Sequence, residues 1–407
     1  MQQTVYDTLE ARGFIEQVTD EPALREALQQ PLTCYAGFDP TAASLHVGHL
    51  LPIMVLAHMQ RAGHRPIILV GGGTALIGDP SGKNEMRQIL TAEEITANAE
   101  KIQQQFSKYI DFNNDAAALL LNNAEWLVPV KYLDFLRDIG RHFSVNRMLT
   151  AESYKMRLET GLNFIEFNYM LLQAYDFLHL QQHYNCMVQL GGNDQWGNIV
   201  AGIDLTRRVA GSTVFGLTFP LITTAAGTKM GKTEKGAVWL DAAKTPPYEY
   251  YQYWINADDR DVGRFLAFFT FMDMDAVATC LAGDIRHAKE ILAFEATAIT
   301  HGQSEAQKAR QAARNLFYGT GTDLASLPAT TIEIKRLQEG VEAFILFVET
   351  GLCASRSDAR RLIKDGGGYV NNMRLEAFDE KISELHLQDG VVLLRAGKKR
   401  YHKILVS

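Results

Sequence analysis

The stretch Cys34–Pro52, CYAGFDPTAASLHVGHLLP, carries His46 and His49 three residues apart around Val47-Gly48. An apolar run precedes them and a helix-like apolar stretch follows. At i, i+3 both imidazoles lie on one face of the first helical turn. The N–H groups of a helix start attract phosphate. Two imidazole donors beside them suit a phosphoryl group on which charge is developing. Gly48 removes a side chain where something flat could approach the backbone. Taken alone, such a pair is equally a cap or a packing feature. A second stretch, GTKMGKTEKG (Gly227–Gly236), sets Lys229 and Lys232 three apart in a glycine-bounded loop. Two ammonium groups on such a loop suit a triphosphate whose charge shifts during reaction. Its bland alternative is a solvated basic loop.

Other polar residues cluster at junctions or on one helix face. NYMLLQAYDF places Tyr169, Gln173 and Asp176 at i, i+4 and i+7, on one face. An aspartate inside such an apolar stripe is unusual unless paired. QLGGNDQWGN offers Gln189, Asp194 and Gln195 where a strand meets a helix, and IGDPSGK offers Asp79 after another strand. GGGTALIGDPSGK invites a phosphate-loop reading, but Ile77 stands where that pattern needs glycine and Asn84 where it needs Ser or Thr. Cys34, Cys186, Cys280 and Cys353 are isolated. That argues against a disulfide framework and a thiolate zinc site.

The elements that would hold these residues alternate. Two short amphipathic helices are expected within residues 1–30, the second opened by Asp20-Glu21-Pro22. Leu32–Phe38, Arg65–Val70, Ala116–Asn122 and Cys186–Leu190 read as strands. His49–Ala62, Thr91–Phe106, Glu166–Leu180 and Asp194–Arg208 read as helices. Alternation of this kind predicts an α/β fold with a parallel, doubly wound sheet. Residues 241–320 are helix-rich, 321–340 read as a linker, and 341–407 form a small mixed α+β unit. The catalytic unit would span 1–225, with an insert at about 124–165 and the lysine loop at 226–240.

The 407 residues, 47% hydrophobic and 21% charged, are ordinary for a globular chain of two or three domains. No apolar run approaches the ~20 residues of a membrane span. MQQTVYDTLEARG lacks the basic and apolar regions of a signal peptide, so a cytoplasmic setting is expected. Ser355–Ser407 holds 11 Lys and Arg against 7 Asp and Glu, a net of +4 on a chain of net −7. A basic end on an acidic body suggests a module that meets a polyanion.

HVGH followed by KMGKT resembles the signature pair of the class I aminoacyl-tRNA synthetases, usually written HIGH and KMSKS. Gly231 stands for the first serine. YAGFDPT, IGDPSGK, NYMLLQAYDF and QLGGNDQWGN, in that order, resemble the bacterial tyrosyl branch of that family along nearly the whole chain. The resemblance implies a Rossmann-like catalytic domain, a helical anticodon-arm domain and a small RNA-binding domain of the ribosomal-protein type. It implies activation of L-tyrosine with ATP and transfer to tRNA-Tyr by a homodimer whose interface lies around Trp126–Met148. Tyr35, Asp79, Tyr169, Gln173, Asp176 and Gln189 would bind tyrosine, with Tyr35 and Asp176 bracketing its hydroxyl. Gly37, Asp39, His46, Gly48, His49, Gly191, Asp194, Gln195 and Lys232 would bind ATP. Thr41, His46, His49, Lys229 and Lys232 would act in catalysis. Mg²⁺ would arrive with the phosphates, with no metal held by the protein itself. Arg356, Arg360, Arg361, Lys364, Lys398 and Lys399 would contact RNA phosphates. Two rivals are a tryptophanyl relative, against which the Tyr35/Asp176 pair speaks, and an RNA-binding or splicing factor on a retired scaffold.

Overall fold

The structure, a computed structural model, describes residues 4–79, 91–114, 116–151, 154–155, 158, 161–225, 227, 230–233, 236–318, 327–371, 373–388, 390–397 and 400–406. Its main sheet comprises β1 (Gln17–Val18), β2 (Thr33–Phe38), β3 (Arg65–Val70), β4 (Leu119–Asn122), β5 (Cys186–Gly192) and β6 (Phe215–Phe219), in the order β1-β6-β5-β2-β3-β4. β2 to β6 are parallel and β1 is antiparallel to β6. β3 is buried at every position after Arg65, as a parallel strand covered on both faces must be. β4 begins at Leu119 rather than Ala116. β6 was not anticipated from the sequence.

Around the sheet run α1 (Val5–Ala11), α2 (Glu21–Ala27), α3 (Leu50–Arg61), α4 (Ala92–Phe106), α5 (Ala124–Leu127), α6 (Tyr132–Asp138), α7 (Val145–Met148), α8 (Phe164–Tyr184) and α9 (Trp196–Ala210). Side-chain caps set several of their starts. Asp20 accepts from the Ala23 N–H at 3.2 Å, with Pro22 in the first turn of α2. Thr91 and Glu94 form a reciprocal box at α4. Asn163 and Glu166 do the same for α8, which therefore starts before Glu166 and runs on to Asn185, whose φ of 50° closes it. The chain lays β3 and β4 to one side of β2, then returns to put β5 on the other side. The order reverses between β2 and β5, which opens a crevice beyond their carboxyl ends.

The lysine-loop region forms a small ribbon, with β7 (Lys232–Thr233) antiparallel to β8 (Gly236–Ala237). A helical unit follows: α10 (Pro247–Ile255), α11 (Val262–Phe269), α12 (Met274–Ala282), α13 (Ile285–His301) and α14 (Gln303–Tyr318). Trp254, Phe265 and Phe269 pack at its centre with ring centroids 5.0–5.9 Å apart. Among the described residues, no helix is long and apolar enough to cross a membrane.

The C-terminal unit contains β9 (Ala329–Ile332), α15 (Ile334–Glu339), β10 (Val341–Glu342), α16 (Ala343–Glu349), α17 (Arg356–Lys364), β11 (Gly368–Val370), β12 (Met373–Arg374), β13 (Lys381–Ile382), β14 (Val391–Ala396) and β15 (Arg400–Val406). Five strands form one sheet, β12-β11-β14-β15-β9, over a core of its own that includes Leu346, Phe347, Ile363 and Ile404. The expected linker at 321–340 is therefore too long. Ala329–Ile332 pairs in parallel with Lys403–Val406, because β-branched Thr330, Thr331 and Ile332 fit the open edge of β15. Residues 319–326 lie outside the described residues.

Candidate active site

The first functional turn is built by its own side chains. His46 and His49 cap the single 3₁₀ turn that leads into α3. The Gly48 N–H donates to His46 Nδ1 at 3.0 Å, and the His46 N–H donates to His49 Nδ1 at 3.1 Å. Each Nδ1 is thus an acceptor, so in the neutral ring the proton sits on Nε2. The two rings lie 4.1 Å apart. Capping and phosphate binding are not rivals here, since the caps set the tautomer that makes Nε2 a donor. Gly48 is required by the same geometry: a Cβ there would stand 2.7 Å from His46 Cε1. The segment after the lysine loop locks onto this turn. The Val47 N–H donates to the Val238 carbonyl at 2.9 Å, and the Leu240 N–H to the Leu45 carbonyl at 2.9 Å. Gly231 has φ +99°, and a Cβ on it would lie 3.1 Å from both Gly48 N and His46 Nδ1. Glycine at this position answers to backbone conformation and to close approach together. Lys232 lies in β7, in the ribbon that this contact holds, and Lys229 lies outside the described residues.

Gly37, Asp39 and Thr41 line the exit of β2. Asp39 accepts from the Thr74 hydroxyl at 3.3 Å, and the Thr41 N–H donates to the Asp39 carbonyl at 2.8 Å. A Cβ on Gly71 would lie 2.3 Å from Asp39 Oδ1, which accounts for one glycine of GGG. Across the switch point, Gly191 lies one residue before the end of β5, and a Cβ on it would press on Gln195 at 3.0 Å. Asp194 and Gln195 form the short turn before α9.

Deeper between β2, β5 and α8, a few polar groups sit against a buried apolar cluster that includes Tyr35, Ile67, Leu69 and Phe177. Tyr35 and Gln189 are register partners on β2 and β5. Both are buried, and neither the Tyr35 hydroxyl nor Gln189 Oε1 has a hydrogen-bond partner among the described residues. Phe177 packs against the Tyr35 ring at 5.4 Å. Asp176 is 2% exposed. Its Oδ2 accepts from Asn123 Nδ2 at 2.9 Å and its Oδ1 from Trp126 Nε1 at 2.8 Å. Burial nonetheless pushes its pKa up to about 7. Each carboxylate oxygen has room for a second donor. Asn123 is itself braced: its Oδ1 accepts from the Gly73 N–H at 2.7 Å, and its amide donates to Thr74 at 3.0 Å.

A second polar group links α8 to α9 and the turn before it. Asn198 Nδ2 donates to Gln173 Oε1 at 3.0 Å and to Gln195 Oε1 at 3.1 Å, and Gln195 Nε2 donates to Asp79 Oδ2 at 2.7 Å. Tyr169 is buried on the face of α8 that carries Gln173 and Asp176. Asn123, Trp126 and Asn198 were missed from the sequence. NNA and AEW carry no periodic or motif signal that would have marked the first two, whereas Asn198 ends the QLGGNDQWGN stretch, of which only Gln189, Asp194 and Gln195 were singled out.

On α17, Arg356, Arg360, Arg361 and Lys364 are exposed, opposite buried Ala359 and Ile363. Arg360 lies 4.2 Å above the Phe344 ring, and Arg361 pairs with Asp358 at 3.1 Å. Lys398 and Lys399 lie outside the described residues. Among the described residues, no group of three or more His, Cys, Asp or Glu side chains converges as a metal cage would.

A switch-point crevice flanked by a histidine pair and a lysine loop defines a class I aminoacyl-tRNA synthetase. The family described as tRNA synthetases class I (W and Y) matches residues 26–318, and the Tyrosine–tRNA ligase SYY-like C-terminal domain matches 324–404. The Tyrosine–tRNA ligase of Desulfatibacillum aliphaticivorans is 57% identical, with 100% of each chain covered, and that of Syntrophus aciditrophicus is 58% identical, with 99% of each covered. A C-terminally truncated mitochondrial tyrosyl-tRNA synthetase of Aspergillus nidulans superposes with a TM-score of 0.70 at 31% identity, over 78% of this chain and 95% of its own. The chain belongs to the tyrosine–tRNA ligase family.

Proposed function

We propose that the crevice activates L-tyrosine with ATP and passes the tyrosyl group to the 3′ end of tRNA-Tyr. The substrate phenol lies between Tyr35 and Asp176. Its ammonium is met by Asp79, Tyr169 and Gln173, with Gln189 beside the ring. The substrate carboxylate attacks the α-phosphorus and pyrophosphate leaves, so positioning and neutralisation are what the protein must supply. His46 and His49 donate from Nε2, Lys229 and Lys232 offset charge on the triphosphate, and Thr41 stands in the segment between β2 and the histidine turn. Gly37, Asp39, Gly48, Gly191, Asp194 and Gln195 border the nucleoside. Mg²⁺ bound to the phosphates would supply further neutralisation of their charge.

The observation that carries this reading is the buried Tyr35 hydroxyl and Gln189 Oε1, without partners among the described residues, beside an Asp176 held by two donors. Such a set rewards a ligand bearing a hydroxyl and penalises one without. Exposed Val128, Tyr132, Leu133, Val145 and Phe164 on the 124–165 insert support a homodimer through that face. The cations of α17 support phosphate contacts to tRNA, and the setting proposed is cytoplasmic. The test is pyrophosphate exchange with tyrosine, phenylalanine and tryptophan. Exchange with tyrosine far above the other two is expected. Preference for tryptophan, or no exchange at all, would overturn the reading.

A further inference from the structure

The lysine loop is gripped at its base by the helical unit. The Ala225 N–H donates to Asp261 Oδ2 at 2.8 Å. Asp261 Oδ1 accepts from Arg264 Nη2 at 2.7 Å, and the same nitrogen donates to the Thr223 carbonyl at 2.6 Å. Asp261, directly before α11, is 3% exposed. A carboxylate is buried at such cost only when it is paired and hydrogen-bonded. Its partners are the loop backbone and a cation that itself holds the loop. Farther along, the Tyr253 hydroxyl on α10 lies beside the Gly231 backbone. Gly231 in turn abuts Gly48 and His46. The helical unit therefore touches the loop on both sides of Lys229, and the second touch bears on the residue that docks against the histidine turn.

We propose that Asp261 and Tyr253 are positioning residues for the phosphate chemistry, holding the lysine loop docked on the His46–His49 turn from the helical unit. This rests on the reading of Lys229 and Lys232 as triphosphate ligands. Neither residue is among those assigned to substrate, so both act through the loop. Their influence falls on steps that form or consume pyrophosphate. It spares tyrosine binding, which uses Tyr35, Asp176 and Gln173, and it spares transfer to tRNA, from which pyrophosphate is absent.

The test uses the full-length enzyme with Tyr253→Phe and Asp261→Asn, and Lys232→Ala as reference. Four quantities are measured: the single-turnover rate of adenylate formation, the rate of its reversal by added pyrophosphate, tyrosine Kd, and transfer of preformed adenylate to tRNA. Loss of one positioning hydrogen bond should slow formation and reversal alike by about three- to tenfold. Kd and transfer should stay within about twofold of the parent. Should Asp261→Asn fail to fold, Tyr253→Phe, which deletes a single hydroxyl, decides alone. Normal activation by Tyr253→Phe and Asp261→Asn beside a slow Lys232→Ala overturns the clamp and leaves the loop reading intact. Normal activation by Lys232→Ala overturns the loop reading itself. A parallel loss in all three rates together with a raised tyrosine Kd would mean a merely structural role and also overturns the proposal.

Discussion

Tyr35→Phe separates recognition from stability because of what surrounds that side chain. The residue is 1% exposed and its ring rests on Phe177 at 5.4 Å, a contact phenylalanine keeps. Its hydroxyl has no partner among the described residues, so the change deletes no hydrogen bond to any of them. The ligand-free variant should therefore melt no lower than the parent. A buried hydroxyl left unsatisfied costs about 1–3 kcal/mol, so any shift should be upward. Recognition should move the other way. The bond lost to the substrate phenol contributes about 0.5–1.5 kcal/mol, or roughly three- to tenfold in the ratio of kcat/KM for tyrosine over phenylalanine. Most discrimination should survive, because the bond to a charged acceptor such as Asp176 is the stronger, at about 1.5–3 kcal/mol. Pyrophosphate exchange with each amino acid and a melting curve without ligand measure both halves. An unchanged ratio would refute the assignment of the hydroxyl to the substrate, and a Tm lowered by several degrees would refute the claim that it holds nothing in the free protein.

Three further outcomes follow from the same geometry. Asp176 is raised to about 7 by burial, so between its unfolded value and about 7 the folded state binds the extra proton and stability falls as pH rises through that window. Asp176→Asn should flatten that slope in denaturant melts at pH 4 to 7, and an unchanged slope would contradict the shift. Gly231→Ser places a side chain at φ +99° and 3.1 Å from Gly48 N and His46 Nδ1. Adenylate formation should slow by about tenfold or more, since such strain costs of order 1–3 kcal/mol, with tyrosine Kd unmoved in a fluorescence titration. Ending the chain within 319–326, ahead of the β9–β15 pairing, should leave activation nearly intact while aminoacylation drops. The salt slope of tRNA binding should become shallower as phosphate contacts are lost, and an unchanged slope would mean that α17 does not touch RNA.

What could be read without coordinates lies close together along the chain. His46 and His49 sit within one turn, Tyr169, Gln173 and Asp176 share a helix face, and RPIILV is apolar throughout, because 3.6- and 2-residue periodicities act over a few residues. Those signals were enough for the parallel sheet and its switch point, while the roles expected of the side chains there came from the resemblance to a known family. The supports of the site were out of reach for the same reason. Asn123 and Trp126 hold Asp176 from 53 and 50 residues away, Asn198 joins Gln173 to Gln195, and Asp261 holds Ala225 across 36 residues. No local pattern encodes such partners, since each exists only once burial has removed water and left a polar group needing a specific donor. Ala329–Ile332 is the same lesson in backbone form. Beside PAT it reads as linker, and it becomes a strand because the edge of β15, more than 70 residues on, offers it hydrogen bonds. Gly231, which the sequence showed only as a departure from serine, acquires its reason from a left-handed φ and the histidine turn packed against it.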